Sequence, residues 1–226
     1  MKAITLVIDL DSTLYKHDSE VRADRLCAIR ANRFLKDSGL LKRMSHSHRS
    51  HIARLIIQGR MLSISRLLGK DYGIDREEFE DYVLDGNPGE AGIKRDRKLV
   101  SLISILAKNY RIVLFTNSKR IWVGRTIKAL GLGGIITMDM VMSPELMDGC
   151  IKPEPCAFRA LMRKFGITKN SMIFLDDRMY NVRQARKMGI TSMHIDNGGK
   201  RAGKSIYSAL ERIISYSTRQ LDITKL

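Results

Sequence analysis

Five short apolar runs punctuate the chain, at residues 4–8, 111–115, 135–141, 171–175 and 190–195. Each has the length of a strand buried on both faces, where polar alternation gives way to continuous hydrophobicity. Between them, apolar residues recur at helical spacing. Residues 98–107 set Leu99, Leu102, Ile103 and Leu106 on one helical face, and 119–130, 155–165 and 178–188 read the same way. Alternation of this kind predicts an α/β protein with a parallel sheet and helices on both faces.

Residues 16–96 break the alternation. They predict helices at roughly 22–37, 46–58, 61–70 and 76–84, with Leu26, Phe34, Ile52, Leu55, Ile56, Phe79 and Val83 on their apolar faces. Gly86-Asn87-Pro88-Gly89 and Gly92 then read as a hinge. The expected organisation is an α/β core from residues 1–15 and 97–226, with a helical domain, 16–96, inserted after the first strand.

Charge adds a second layer. The formal net charge is +16, which favours anionic partners. Residues 22–70 hold twelve Lys or Arg against Asp24 and Asp37, and residues 71–96 hold nine Asp or Glu. The basic block reads as an anion-binding surface or as a solvated helical face. No aromatic residues interleave as they do in single-strand binders, so nucleic acid is not favoured. No apolar run reaches the roughly 18 residues of a membrane span. Cys27, Cys150 and Cys156 form no CxxC pair, so a reducing, cytoplasmic setting is expected.

Ligands of an open parallel sheet bind at the carboxyl ends of its strands. The first run ends in Asp9-Leu10-Asp11, the second in Thr116-Asn117-Ser118 and the fourth in Asp176-Asp177; Lys152-Pro153 is expected to open a helix. Two carboxylates at the end of a buried strand repel each other unless something positive joins them. Carboxylate oxygens from several strands suit Mg²⁺, which favours phosphate substrates. Beside such a phosphate, one carboxylate can attack phosphorus and a second can move protons. Thr116 and Lys152 would hold the phosphoryl oxygens. Singly, each motif is a cap or a turn; all four in this order point to one site.

With these four motifs the sequence resembles the haloacid dehalogenase (HAD) superfamily of phosphohydrolases. The resemblance covers about residues 4–195 and implies a Rossmann-like core of strand order 5-4-1-2-3. It implies Asp9 as nucleophile and Asp11 as general acid/base. Thr116, Asn117 and Lys152 would contact substrate; Asp9, the Asp11 carbonyl and the Asp176-Asp177 pair would hold Mg²⁺. Asp11 favours phosphate over halide chemistry, because the superfamily's dehalogenases lack that second acid. The helical insert resembles a C1 cap. DLDSTLY, KDYGIDREEFEDYV, GIKRDRKLVSLISIL, LFTNS, KPEPCAF and FLDDRMYNVRQARKMGI are similar to the pyrimidine 5′-nucleotidase-like branch. Ser12 departs from it, standing where Gly, Asn or Glu is more usual. The implied function is Mg²⁺-dependent hydrolysis of a nucleoside 5′-monophosphate or similar small phosphate. Two alternatives remain: a phosphatase for nucleic-acid ends or phosphoprotein that uses the basic helices, and a non-catalytic binding protein on this fold.

Other features carry plainer expectations. GGKRAGKS at 198–205 fits a P-loop pattern, but too little chain follows for the rest of such a domain. A rim role for Lys200, Arg201 and Lys204 is a further reading. His48 and His51 share a helical face with metal-binding spacing, against a simple solvated helix. Cys150 and Cys156, which flank Lys152, read as small apolar fillers, against a redox role. Met44 or Met61 could line a cap pocket. Trp122 reads as packing, and Tyr15 either as packing or as a neighbour of the leaving group.

Overall fold

The structure, a computed structural model, describes residues 4–57, 61–197 and 204–218. The chain divides into two compact units: Met1–Ser19 with Ile93–Leu226, and Glu20–Gly92.

The smaller unit is helical. Helix α1 (His17–Asp37) enters it, followed by a short α2 (Leu40–Arg43), α3 (His46–Ile57), α4 (Met61–Tyr72) and α5 (Arg76–Leu84). Helix α1 starts five residues before the expected position, and α2 was not foreseen. The apolar faces close around Phe34, Leu35, Ile52, Ile64, Leu68 and Phe79. Phe34 meets Phe79 and Tyr82 edge-on, at centroid distances of 5.2 and 5.3 Å. Met44 lies in this core at 3% exposure, and Met61 packs against the same core. Asp75 caps α5, its carboxylate accepting from the Glu78 N–H at 2.9 Å.

The larger unit is built on strands β1 (Thr5–Ile8), β2 (Arg111–Phe115), β3 (Val141–Met142), β4 (Met172–Asp176) and β5 (Thr191–His194). All pairings are parallel, in the order β3-β2-β1-β4-β5, which is the expected order read from the other edge. Helices α6 (Arg97–Leu106), α7 (Arg120–Leu130), α8 (Pro155–Phe165), α9 (Met179–Lys187) and α10 (Ile206–Thr218) complete it. Side chains of a strand alternate between faces. Val7, Val113, Phe115 and Phe174 join the core formed with α8 and α9. Leu6, Ile8, Leu114 and Leu175, of opposite parity, are also buried, so the sheet is covered on both sides. Phe115, Phe158 and Phe174 interlock with centroids 5.2–6.0 Å apart.

The run at 135–141 yields only a two-residue strand. Its first half forms a turn, with the Ile135 and Ile136 N–H groups both on the Leu132 carbonyl. Ile136 is buried there at 2% exposure, so its hydrophobicity anchors a turn and not a strand.

Helix α10 packs near the start of α6. Asp96, the N-cap of α6, also accepts from the Tyr207 hydroxyl, and Lys98 pairs with Glu211 at 2.8 Å. Burial and the Asp96 carboxylate push the Tyr207 phenol up to about 12. A phenol raised in the fold stabilises it fully below its ordinary value, near pH 10, and loses that contribution between about pH 10 and 12. Wild type is therefore expected to lose more unfolding free energy than Tyr207→Phe across that interval, measured by urea titration at each pH. Equal losses would exclude this pair as the cause.

Candidate active site

The register carries the acids to one rim. Ile8 is level with Leu114 of β2 and Leu175 of β4, so the next residue along each strand lies beside the next. The Asp9 N–H continues the ladder onto the Leu175 carbonyl at 2.9 Å. Here β1 has β2 on one side and β4 on the other, the crevice where such sheets bind ligands.

Lys152 joins the carboxylates. Its Nζ donates to Asp9 Oδ1 at 2.5 Å, Asp176 Oδ2 at 2.8 Å and the Phe115 carbonyl at 2.6 Å. An ammonium has three donors, and all three are engaged. The rings of Phe115 and Phe174 lie 5.1 and 5.6 Å from Nζ. Asp9, Lys152 and Asp176 are 6%, 2% and 0% exposed. Burial alone would lower the Lys152 ammonium, but the Asp176 and Asp9 charges outweigh it and raise it. Burial holds the Asp9 carboxyl well above the usual carboxylate range; Lys152 opposes this, and the charges of Asp176 and Asp11 add to it.

Neighbouring groups fix each acid. Thr13 Oγ1 donates to Asp9 Oδ2 at 3.0 Å and accepts from the Asp177 N–H at 3.0 Å. Asp176 accepts from the Arg178 N–H at 2.8 Å and takes the Asn181 amide on both oxygens at 3.0 Å. Asp177 pairs with Arg178 Nε at 3.2 Å, and His194 Nε2 meets the Asp177 carbonyl at 2.8 Å. Asp9, Asp176 and Asp177 each offer a carboxylate oxygen, all within 4.8 Å of one another. That all-oxygen, anionic donor set fits a hard divalent cation such as Mg²⁺.

Asp11 takes two donors on each oxygen. Tyr15 Oη and Trp122 Nε1 donate to Oδ1 at 2.5 and 3.0 Å. Ser118 Oγ and Thr116 Oγ1 donate to Oδ2 at 2.5 and 3.3 Å. Asn117 accepts from the Lys152 N–H and donates to the Lys152 carbonyl, both at 2.9 Å. Its carboxamide thus holds the Lys152 turn beside the site. Helix α8 begins at Pro155 with Glu154 as N-cap, so Lys152-Pro153 lies in the turn before the helix and does not open it.

Ser12 has φ 58°, in the left-handed region. That backbone explains why Gly and Asn suit this position. Ser12→Gly is expected to leave stability within about 0.5 kcal/mol, whereas Ser12→Val should lose about 1–2 kcal/mol in chemical denaturation. Equal midpoints for the two variants would rule out backbone strain.

Some groups play parts the sequence did not announce. Asn197 donates to the Ser12 and Thr13 carbonyls at 2.9 and 2.5 Å and accepts from the Ile206 N–H, tying the start of α10 to the loop after β1. An asparagine just past the last strand was its only signal. Ser205 caps α10, accepting from the Ser208 N–H at 3.3 Å; Gly198, Lys200, Arg201 and Gly203 lie outside the described residues. Cys150 and Cys156 form a disulfide across the Lys152 turn, against the expectation of two separate fillers in a reducing setting. His48 Nδ1 meets the Tyr72 hydroxyl at 2.5 Å, and the metal groupings among the described residues include neither His48 nor His51.

A family model for haloacid dehalogenase-like hydrolases matches residues 5–189. The chain belongs to that family. It is a hydrolase of the HAD type, with an α/β fold. Among solved structures it is similar to the HAD hydrolase YfnB from Bacillus subtilis, bound to magnesium: TM-score 0.53, 16% identity, 89% of this chain and 90% of that one. It is also similar to an L-2-haloacid dehalogenase, with TM-score 0.55, 12% identity and 93% and 99% covered. A HAD-family enzyme from Bacteroides thetaiotaomicron gives TM-score 0.52 at 16% identity, with 88% and 97% covered. At such identities the likeness is one of fold. Among the described residues, no helix is long and apolar enough to cross a membrane.

Proposed function

We propose that this HAD hydrolase cleaves phosphomonoesters through an aspartyl-phosphate at Asp9, with Mg²⁺ as cofactor. The favoured substrate is a small phosphate such as a nucleoside 5′-monophosphate. The observation that carries the reading is the convergence of carboxylate oxygens of Asp9, Asp176 and Asp177 within 4.8 Å of one another, with the buried Lys152 joining Asp9 to Asp176. Asp11, two residues beyond Asp9, favours phosphate over halide chemistry, although dehalogenases are among the proteins of similar fold.

In this reaction an Asp9 carboxylate oxygen forms a bond to phosphorus and the bond to the leaving oxygen breaks. Asp11 gives that oxygen a proton. Asp11 then takes a proton from water as the water attacks phosphorus, the bond to Asp9 breaks and inorganic phosphate departs. Asp9, the Asp11 carbonyl, Asp176 and Asp177 would hold Mg²⁺, which neutralises charge on the phosphoryl group. On substrate binding Thr116 would turn its hydroxyl from Asp11, and Lys152 one donor from the acid cluster, to the phosphoryl oxygens. Asn117 would contact substrate from the Lys152 turn that it braces.

Phosphate release from a panel of phosphomonoesters, with Mg²⁺ and with EDTA, tests this. Metal-dependent turnover supports it, and the substrate ranking identifies the leaving group. A folded protein inert toward the whole panel sinks it.

One observation favours a second reading. Lys42, Arg43, Arg54, Arg66 and Lys70 of the helical unit are exposed and, among the described residues, form no ion pair. These cations can hold a polyanion, so the substrate would be a terminal phosphate on nucleic acid. Turnover of such an oligonucleotide would then fall steeply with salt, while a mononucleotide would respond weakly. Equal salt responses remove this reading.

A further inference from the structure

Asp11 is held by more donors than a surface aspartate needs, and two of them come from large buried rings. Tyr15 and Trp122 are each 7% exposed. Each ring directs its polar atom to Asp11 Oδ1. The four donors come from three places: Tyr15 in the loop after β1, Thr116 and Ser118 after β2, and Trp122 in the first turn of α7. Two donors per oxygen fix both the position and the plane of the carboxylate. A hydroxyl can turn from donor to acceptor, but an indole N–H cannot. Trp122 therefore keeps its hold on Oδ1 while a hydroxyl at Oδ2, that of Thr116 or Ser118, turns away to leave room for the proton that Asp11 carries as an acid. Burying the indole N–H without that partner is costly, so the contact is specified from both sides.

We propose that Trp122 and Tyr15 are positioning residues that aim the Asp11 carboxyl at the leaving oxygen. This rests on the phosphatase reading above. It predicts a particular kinetic pattern. A poor leaving group, such as an alkyl alcohol, needs a well-aimed acid; a good one, such as p-nitrophenolate, hardly needs it. Misplacing a catalytic group by about 1 Å can cost up to about 10²-fold in rate.

The test uses Trp122→Phe and Tyr15→Phe, which remove one donor each and keep a ring. For each variant, kcat/KM on an alkyl phosphate, which reports the leaving-group step, is expected to fall about tenfold, while kcat/KM on p-nitrophenyl phosphate stays within about twofold. The later attack by water is common to both substrates and does not enter kcat/KM. In an Asp11→Asn background, Trp122→Phe should add no further loss. Equal losses on both substrates, no loss on either, or additive losses would overturn the proposal. Tyr15→Phe decides the matter if Trp122→Phe fails to fold.

A second measurement is independent of turnover. Trp122 is the only tryptophan, so its fluorescence reports on its contact with Asp11. Asp11→Ala should shift the emission of the folded protein, and the exposed control Asp37→Ala should not. An unchanged spectrum overturns the contact even if the enzyme is active. A shifted spectrum in a wild type inert toward every phosphate would place the failure in the phosphatase reading, and the aiming role would fall with it.

Discussion

Asp9→Asn is expected to remove phosphomonoester turnover, by on the order of 10⁴-fold or more, as for loss of a covalent nucleophile. The reason lies in what the carboxylate does in the resting site. One oxygen meets the Lys152 ammonium at 2.5 Å and the other takes the Thr13 hydroxyl at 3.0 Å, so the aim of the nucleophile is set before substrate arrives. An amide has the same shape but no anionic oxygen to attack phosphorus. The substitution also relieves like-charge repulsion with Asp176 and Asp11, which push the Asp9 carboxyl up alongside burial. Lys152 keeps Asp176 as a partner at 2.8 Å, so the variant is expected to fold with wild-type cooperativity. A stopped assay and a urea titration on one preparation check both halves. Residual turnover within about tenfold of wild type would remove Asp9 as nucleophile.

Much of this was legible because strand periodicity and strand-end chemistry are local. The runs at 4–8, 111–115, 171–175 and 190–195 became strands within a residue or two. The first three are buried almost throughout, whereas the last forms an edge strand that is only half-buried, against the expectation of burial on both faces. The run at 135–141 misled because hydrophobicity reports burial and not pairing: Ile136 is buried by a turn, and only Val141 and Met142 reach the ladder. Asp9, Lys152, Asp176 and Asp177 were readable because a buried charge in an apolar segment demands a partner. The donors around Asp11 were not. Trp122 and Tyr15 satisfy the ordinary rule for buried rings, and only their polar atoms, brought together by α7 and the loop after β1, distinguish them from packing. Asn117 carries a part that its place at a strand end did not announce: its carboxamide braces the Lys152 turn. The Cys150–Cys156 bond depends on the path of the chain around Lys152, which spacing alone does not give.

Lys152→Met is expected to lower unfolding free energy by about 3–5 kcal/mol, the scale of breaking a buried ion pair from one side. It should also abolish turnover. Methionine fills similar volume and touches the same Phe115 and Phe174 rings, so packing loss is small and charge loss dominates. Three acceptors lose their donor together: Asp9 Oδ1, Asp176 Oδ2 and the Phe115 carbonyl. Asp176 retains the Arg178 N–H and Asn181, but Asp9 retains only Thr13 among these contacts. Asp9 therefore bears most of the penalty. The pH dependence follows from direction alone. The Lys152 ammonium is raised, so its own titration removes the stabilisation only above its ordinary value near 10.5; at lower pH the contribution stands while its carboxylate partners stay ionised. A protonated Asp9 needs no cation, so the gap between wild type and variant should narrow as pH falls through the range where the raised Asp9 carboxyl takes up its proton. Mg²⁺ offers a separate check. If Asp9, Asp176 and Asp177 bind it, added Mg²⁺ should stabilise the variant more than wild type, because there the cation neutralises carboxylates that Lys152 otherwise serves. Urea midpoints with MgCl₂ and with EDTA measure this difference. A variant as stable as wild type, with the same response to Mg²⁺, would mean that the ammonium is not what holds the acid cluster together.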